Sequence, residues 1–235
     1  MRRVKSNGIF YKLINFSDSS AIGYAITEDF GKLKFFINHA FTKKGSLYKI
    51  IPGEIDFLKK ETSDLNKFYT FKENLKYFYF LESAEIYFRL YLIFEIFDIL
   101  FNLEEKDAYF FKLLTHVKDE NISKFSVYTI NYMLKKSGYF LSTLQCPLCH
   151  IEYKNKACLT STGLCCENCA RNTIILMYIE KNQMKILTTL TDSSVFKNLK
   201  IEIDEEMQVL NIFVTYINSI SGKKLKSFDN LKILK

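Results

Sequence analysis

The chain has 235 residues, of which 48% are apolar, and this excludes wholesale disorder while allowing one large domain or two to three small ones. With 22 Phe and 15 Tyr but no Trp, and only 8 Gly and 2 Pro, a collagen-like or linker-rich organisation is also excluded. The formal charge of +7, from 33 basic and 26 acidic side chains, is compatible with a polyanionic partner and equally with solubility alone.

The distribution of that charge is more informative than its sum. Residues 1–76 hold 14 basic and 8 acidic side chains, a balance of +6. Residues 77–145 hold 7 and 9, a balance of −2, and residues 146–235 hold 12 and 9, a balance of +3. The excess therefore sits in the N-terminal third. Arg2, Arg3 and Lys5 are not followed by a clean apolar stretch, so no signal peptide is expected. The most apolar segment, from Ile86 to Phe101, is interrupted by Arg89, Glu95 and Asp98 and is too short and too charged for a bilayer span.

Residues 6–62 read as short strands. Asn7–Asn15, Ala21–Thr27 and Lys32–Asn38 are rich in Ile, Phe and Tyr, with turns at Asp18–Ser20 and Glu28–Gly31. Pro52–Gly53 precedes a further strand over Glu54–Glu61. Several short strands suggest a small barrel or curled sheet, OB-like or SH3-like. From Lys72 the pattern becomes helical. Ile86, Leu90, Ile93, Phe94, Phe97 and Phe101 recur at three- and four-residue spacing, which predicts one long helix or two broken near Leu81–Ala84. Helices are expected over Ala108–His116 and Ile122–Lys136, a hairpin over Ile174–Ile186 turning at Lys181–Asn182, and an amphipathic helix over Glu205–Ile220 stopped near Gly222.

All six cysteines fall between Cys146 and Cys169. A disulfide scaffold would spread them through a small secreted chain, so an intracellular, reducing compartment is expected. Cys146-Pro-Leu-Cys149 and Cys166-Glu-Asn-Cys169 form two C-x-x-C pairs with 16 residues between them. A two-residue spacer lets both sulfurs of a turn face one ion, and two such turns complete a tetrahedral thiolate shell. Four sulfurs leave no open position, so Cys146, Cys149, Cys166 and Cys169 predict a structural Zn²⁺. Its net charge of about −2 could be offset by Lys154, Lys156 or Arg171. Cys165 and Cys158 are alternative ligands by proximity, and an iron–sulfur cluster would use the same donors. His150 is expected beside the shell or facing solvent.

Little points to catalysis. His39, His116 and His150 are the only histidines and lie in different regional contexts. No H-E-x-x-H, G-x-S-x-G, P-loop or G-x-G-x-x-G pattern occurs, and no enzymatic activity is expected. Binding is the better reading. Arg2, Arg3, Lys5, Lys12, Lys32, Lys34, Lys43 and Lys44 precede or lie within the expected barrel, where cations can hold phosphates while Phe or Tyr rings stack on bases.

Four segments, in order along the chain, resemble the RecO family of bacterial recombination mediators. Thr27-Glu28-Asp29-Phe30-Gly31-Lys32-Leu33 is similar to that family's T-E-x-x-G-K-L stretch. Phe125 to Leu134 followed by Ser137-Gly138-Tyr139 resembles the helix and L-x-x-x-G-Y stretch before the first cysteine pair. Cys146 to Cys149 and Thr162 to Cys169 match C-x-x-C and G-G-x-x-C-x-x-C, with Thr162 in place of the first Gly. Gly222-Lys223-Lys224-Leu225-Lys226-Ser227 is similar to G-R-x-L-K-S. Where relatives often carry A-x-G-A-R-R-x-x-S, this chain has Asn38 to Ser46, with Lys43 and Lys44 keeping the charge but not the bidentate geometry of Arg.

The resemblance implies an α+β chain with a small N-terminal OB-like β-barrel (1–72), followed by a mainly helical domain (73–235) carrying a zinc knuckle at 146–169. It further implies binding of single- and double-stranded DNA and annealing of complementary strands in the cytoplasm. Partners would be RecR, in some systems RecF, and the acidic tail of single-stranded DNA-binding protein, which would dock on the helical domain. The outcome would be loading of RecA on coated DNA. The competing readings are a zinc-stabilised protein-interaction module without annealing activity and a metal-dependent nuclease.

Overall fold

The computed structural model describes residues 2–40, 50–141, 144–153, 156–190 and 200–234. The chain is α+β: five strands come first, then a helical part into which a small three-stranded sheet is set. Two compact units result, one running to Phe94 and including Phe101–Glu120, the other formed by Glu95–Leu100 and Asn121–Ile233. No helix among the described residues is long and apolar enough to cross a membrane.

In the first unit, β1 (Arg2–Asn15), β2 (Ala21–Thr27) and β3 (Gly31–Ile37) form an antiparallel meander. β4 (Pro52–Lys59) pairs back with β1 along eight residues from Arg2↔Lys59 to Ile9↔Pro52. A fifth strand, β5 (Leu65–Glu73), was not legible in the sequence, and it completes the sheet. It runs parallel to β3 and antiparallel to β4, giving the order β1-β2-β3-β5-β4 with every strand paired on both sides. Only Asn66 of β5 is fully buried, and polar residues interrupt its apolar ones, so it lacks the apolar run by which a buried strand is recognised.

Period-two alternation sends one face inward. Phe10, Leu33, Phe35, Ile37, Ile55 and Phe57 are buried together, with Leu13, Phe68 and Phe71 packed against them. The rings meet edge to face: Phe10–Phe35 at 5.4 Å, Phe35–Phe57 at 5.1 Å and Phe10–Phe71 at 5.3 Å between centroids. This is the geometry that aromatic quadrupoles favour, and it fills a narrow interior without any Trp. A bulge between Phe10 and Lys12 turns Tyr11 out of that interior, where it stacks on Phe94 at 5.4 Å.

The expected break in the long helical segment falls at Ser83, whose backbone is extended between α1 (Tyr79–Glu82) and α2 (Ala84–Leu100). Its hydroxyl accepts from the Ile86 amide and donates to Asp119 at 2.6 Å, which fixes the start of α2. Two of the three charges inside the apolar segment have clear partners. Arg89 is buried and ion-paired with Glu85 one turn earlier. Glu95 accepts from the amides of Lys226 and Ser227 and from the Ser227 hydroxyl. After α3 (Ala108–Leu114), the helix α4 (Ile122–Lys136) has the bounds its periodicity predicts.

In the second unit, β6 (Lys156–Thr160) is the centre strand of the small sheet, flanked by β7 (Gly163–Cys165) and β8 (Met177–Glu180). A short helix, α5 (Glu167–Ala170), follows β7. The hairpin expected over Ile174–Ile186 does not form: β8 pairs with β6, and Lys181 begins the helix α6 (Lys181–Thr189). The reason is local. Glu180 and Gln183 make a reciprocal capping box, with the Glu180 amide donating to Gln183 at 2.9 Å, so the Lys–Asn pair opens a helix instead of a turn. The amphipathic helix α7 (Ile203–Ser221) packs against α4 and α6 and ends at Gly222, whose φ of 65° supplies the left-handed cap. A last helix, α8 (Lys226–Lys232), begins at the residues that Glu95 caps.

Gly31 is the tightest point of the first unit. It has a φ of +70°, and a Cβ there would lie 2.1 Å from the Glu105 carbonyl oxygen. Gly31→Ala is therefore expected to destabilise the protein by about 2–3 kcal/mol, read as a lower urea midpoint. A variant within about 0.5 kcal/mol of the parent would show that this contact is not a constraint.

Candidate metal centre and basic face

Each C-x-x-C pair occupies a tight turn. In the first, the Cys146 amide donates to the Ile151 carbonyl at 2.9 Å and the His150 amide donates to the Cys146 carbonyl at 2.8 Å, closing a loop around Pro147–Cys149. His150 takes a left-handed φ of 59° and is exposed, the conformation the loop requires at that point. The second pair leaves β7 directly: Cys166 precedes α5, and Ala170 donates back to its carbonyl at 3.0 Å.

The sulfurs of Cys146, Cys149, Cys166 and Cys169 all lie within 4.8 Å of one another. Cys149 and Cys166 are 3.7 Å apart and, like the others, unbonded. An ion with four sulfurs at about 2.3 Å would space them by about 3.8 Å along each tetrahedral edge, so the donor set fits a single metal ion. Cys158 and Cys165 stand directly opposite each other across β6 and β7, both buried and outside this group. Successive strand residues point to opposite faces, and this separates Cys165 from the start of the second turn.

The electrostatics favour a cation. Burial opposes ionisation of Cys146, but the backbone amides of Cys166, Cys149 and Leu148 outweigh it and hold the thiol down at about 6. For Cys149 the backbone of Ile151 favours the thiolate, yet burial and the neighbouring Cys166 thiol push it up overall. Cys169 is pushed well up by hydrogen bonding to Cys166 and Cys149. One thiolate at neutral pH thus disfavours the next, a conflict that a bound cation removes. Burial, with smaller contributions from neighbouring negative charges, raises Cys158 and, together with the surrounding cysteines, takes Cys165 up to about 11, as expected of inert thiols. Lys156 is engaged by Glu167 at 2.9 Å and lies 4.6 Å from the Tyr178 ring centroid, and Arg171 donates to Asn168 at 3.1 Å. Lys154 lies outside the described residues.

The basic residues singled out by sequence meet different fates on the five-stranded sheet. Arg2 is exposed at the start of β1. Arg3 forms a bidentate pair with Asp56 at 2.9 and 2.8 Å, and its guanidinium stands 4.7 Å from the Tyr69 ring centroid. The Asp56 hydrogen bonds raise the Arg3 pKa and lower that of Asp56. Lys5 pairs with Glu54 at 2.7 Å. Lys32 is only 6% exposed and donates to the Phe101 carbonyl at 2.9 Å, which gives it a place in the packing of the first unit. Lys43 and Lys44 lie outside the described residues.

Lys12 and Lys34 come together. The register places Lys12 opposite Tyr24 and Tyr24 opposite Lys34, and the two ammonium groups lie 5.0 and 5.8 Å from the Tyr24 ring centroid. Two further cationic contacts gather on β5, where Lys67 and Arg3 approach the ring of Tyr69 at 5.5 and 4.7 Å. Lys67, Tyr69 and Tyr24 were not singled out from sequence. Alternation within β5 was the signal available for the first two, and it becomes readable only once β5 is known to be a strand.

No family model matches the chain. Two proteins named DNA repair protein RecO are similar to it from end to end. That of Caldicellulosiruptor bescii is 22% identical over 245 aligned residues, and that of Caldicellulosiruptor saccharolyticus is 19% identical over 247. In both cases the alignment covers 100% of this chain and 100% of the relative.

Metal loading should take up one tetrahedrally coordinated ion per chain and release protons, because the thiols ionise as they bind. Native mass spectrometry and a pH-indicator titration measure the two. Cys149→Ser or Cys166→Ser should abolish tight binding while Cys158→Ser and His150→Gly keep it. Loss of the ion in either of the latter would place that residue among the ligands.

Proposed function

We propose that the protein is a DNA repair and homologous recombination mediator of the RecO type. It would bind and anneal DNA and help load RecA on single strands coated by their binding protein. The observation that carries this reading is the end-to-end similarity to two RecO-named proteins, reinforced by a four-thiol cluster where the family pattern puts its cysteines. In this reading the N-terminal sheet is an OB-like barrel spanning residues 1–72, and residues 73–235 form the helical domain. Cys146, Cys149, Cys166 and Cys169 hold one Zn²⁺, which cross-links the two turns and leaves no position open for substrate.

The activity is non-covalent and requires no enzyme chemistry. Cations capture phosphate backbones, two strands are held side by side, and pairing between bases does the rest. RecR, the tail of single-stranded DNA-binding protein and, in some systems, RecF are the partners proposed, and the cytoplasm is the proposed location. On the sheet, Arg2, Lys12 and Lys34 are the proposed phosphate contacts, with Lys43 and Lys44 in the β3–β4 connection. Arg3 and Lys5 would contribute only when DNA displaces Asp56 and Glu54, and Lys32 serves packing.

The test is annealing of complementary oligonucleotides, bare and coated, where acceleration in either setting is expected and inactivity in both would end the proposal. Lys12→Glu combined with Lys34→Glu should weaken single-strand and duplex binding alike and flatten the salt dependence by about two phosphate contacts. Conversely, Asp56→Asn releases Arg3 and should tighten DNA binding, measured by fluorescence anisotropy. Unchanged affinity in both variants would remove this face from the site.

A further inference from the structure

The outward face that carries Lys12, Tyr24 and Lys34 holds a second row that charge does not explain. One step further along the strands the register sets Ile14 opposite Ile22, Ile22 opposite Phe36, and Phe36 opposite Lys67. Just past β1, Phe16 is 66% exposed and Ile14 44%. An exposed Phe adds little to folding, yet this one is held in place. Its amide donates to the Ser20 carbonyl at 2.9 Å, Ser17 closes the same turn, and its ring stands perpendicular to that of Phe36 with centroids 5.5 Å apart. The rings of Tyr24 and Tyr69 already face cations. Among the described residues, Phe16 is the exposed ring of this face whose orientation is set by a neighbouring ring and not by a cation.

We infer that Phe16, steadied by Phe36, is a stacking platform for the unpaired bases of single-stranded DNA, with Lys12, Lys34 and Lys67 holding the flanking phosphates. The inference rests on the nucleic-acid reading above and adds a strand preference to it. A base in a duplex is already stacked on its neighbours and cannot reach the ring, whereas every unpaired base offers a π-face. An aromatic side chain fixed before binding also loses little conformational freedom when a base covers it. The lysines act on both forms of DNA; the phenylalanine acts on one.

The absence of Trp from the chain provides a direct reporter. In Phe16→Trp the introduced indole is the sole tryptophan, and its emission should be quenched by an oligothymidine strand but not by a blunt duplex of equal length. Phe16→Ala should lower single-strand affinity roughly tenfold and leave duplex affinity within about twofold, with the salt slope of both unchanged. Equal losses on both probes, or no loss on the single strand, would overturn the stacking role while leaving phosphate capture intact. A parent protein that retains neither probe would overturn the nucleic-acid reading and this inference together. Circular dichroism of each variant should match the parent, since Phe16 lies outside the packed interior.

Discussion

Insertion of β5 between β3 and β4 is the constraint on which the first unit depends. Without it, β3 and β4 would each present a free edge and the aromatic interior would be open on one side. With it, backbone hydrogen bonding runs around all five strands, and the side chains divide cleanly into an inner set built on Phe10, Phe35 and Phe57 and an outer set built on Lys12, Tyr24 and Lys34. The parallel β3–β5 pairing also sets Phe36 beside Lys67, so sheet closure fixes the spacing of cations and rings on the outer face. Gly31 and Lys32 belong to the same constraint: one leaves room for the Glu105 backbone and the other binds the Phe101 carbonyl.

The second unit is organised around a different force. Four thiols within 4.8 Å of one another form an arrangement in which each ionisation disfavours the next. Backbone amides outweigh the cost at Cys146 but not at Cys149, where burial and the Cys166 thiol prevail over the Ile151 backbone. The two turns that present the sulfurs lie far apart in sequence, and the small β-sheet brings the second to the first by running β7 directly into Cys166. A metal ion bound to the four sulfurs would cross-link the two turns.

The outer face of the first unit combines lysines with aromatic rings. On the proposed reading, such a face would attract a flexible polyanion at modest cost, because its cations are held by neighbouring rings and the ligand would supply the countercharge. Several other cations are differently employed. Arg3 and Lys5 stand in ion pairs whose carboxylates compete with phosphate, so the formal charge of the N-terminal third overstates what a nucleic acid would meet. The exposed Lys5–Glu54 pair contributes little to stability, and its effect is felt chiefly in which surface remains attractive.

The sequence by itself determined the elements whose information is local. The bounds of α4 follow from its periodicity, β2 from its apolar run between turns, and the four cysteines from a two-residue spacing that lets both sulfurs of a turn face one ion; a break near Leu81–Ala84 is one of two options the pattern leaves open. Tertiary structure alone decided whatever depends on pairing between distant segments. β5 is too polar to announce itself and exists because β3 and β4 both accept it, and β8 pairs with β6 instead of folding back on the residues that follow. A lysine read from sequence is the same letter whether it is buried on a carbonyl like Lys32, locked to a carboxylate like Lys5, or set over a ring like Lys34. Only the register of strands brought together over long separations assigns it one of these fates, because the field around a charge is set by its neighbours in space.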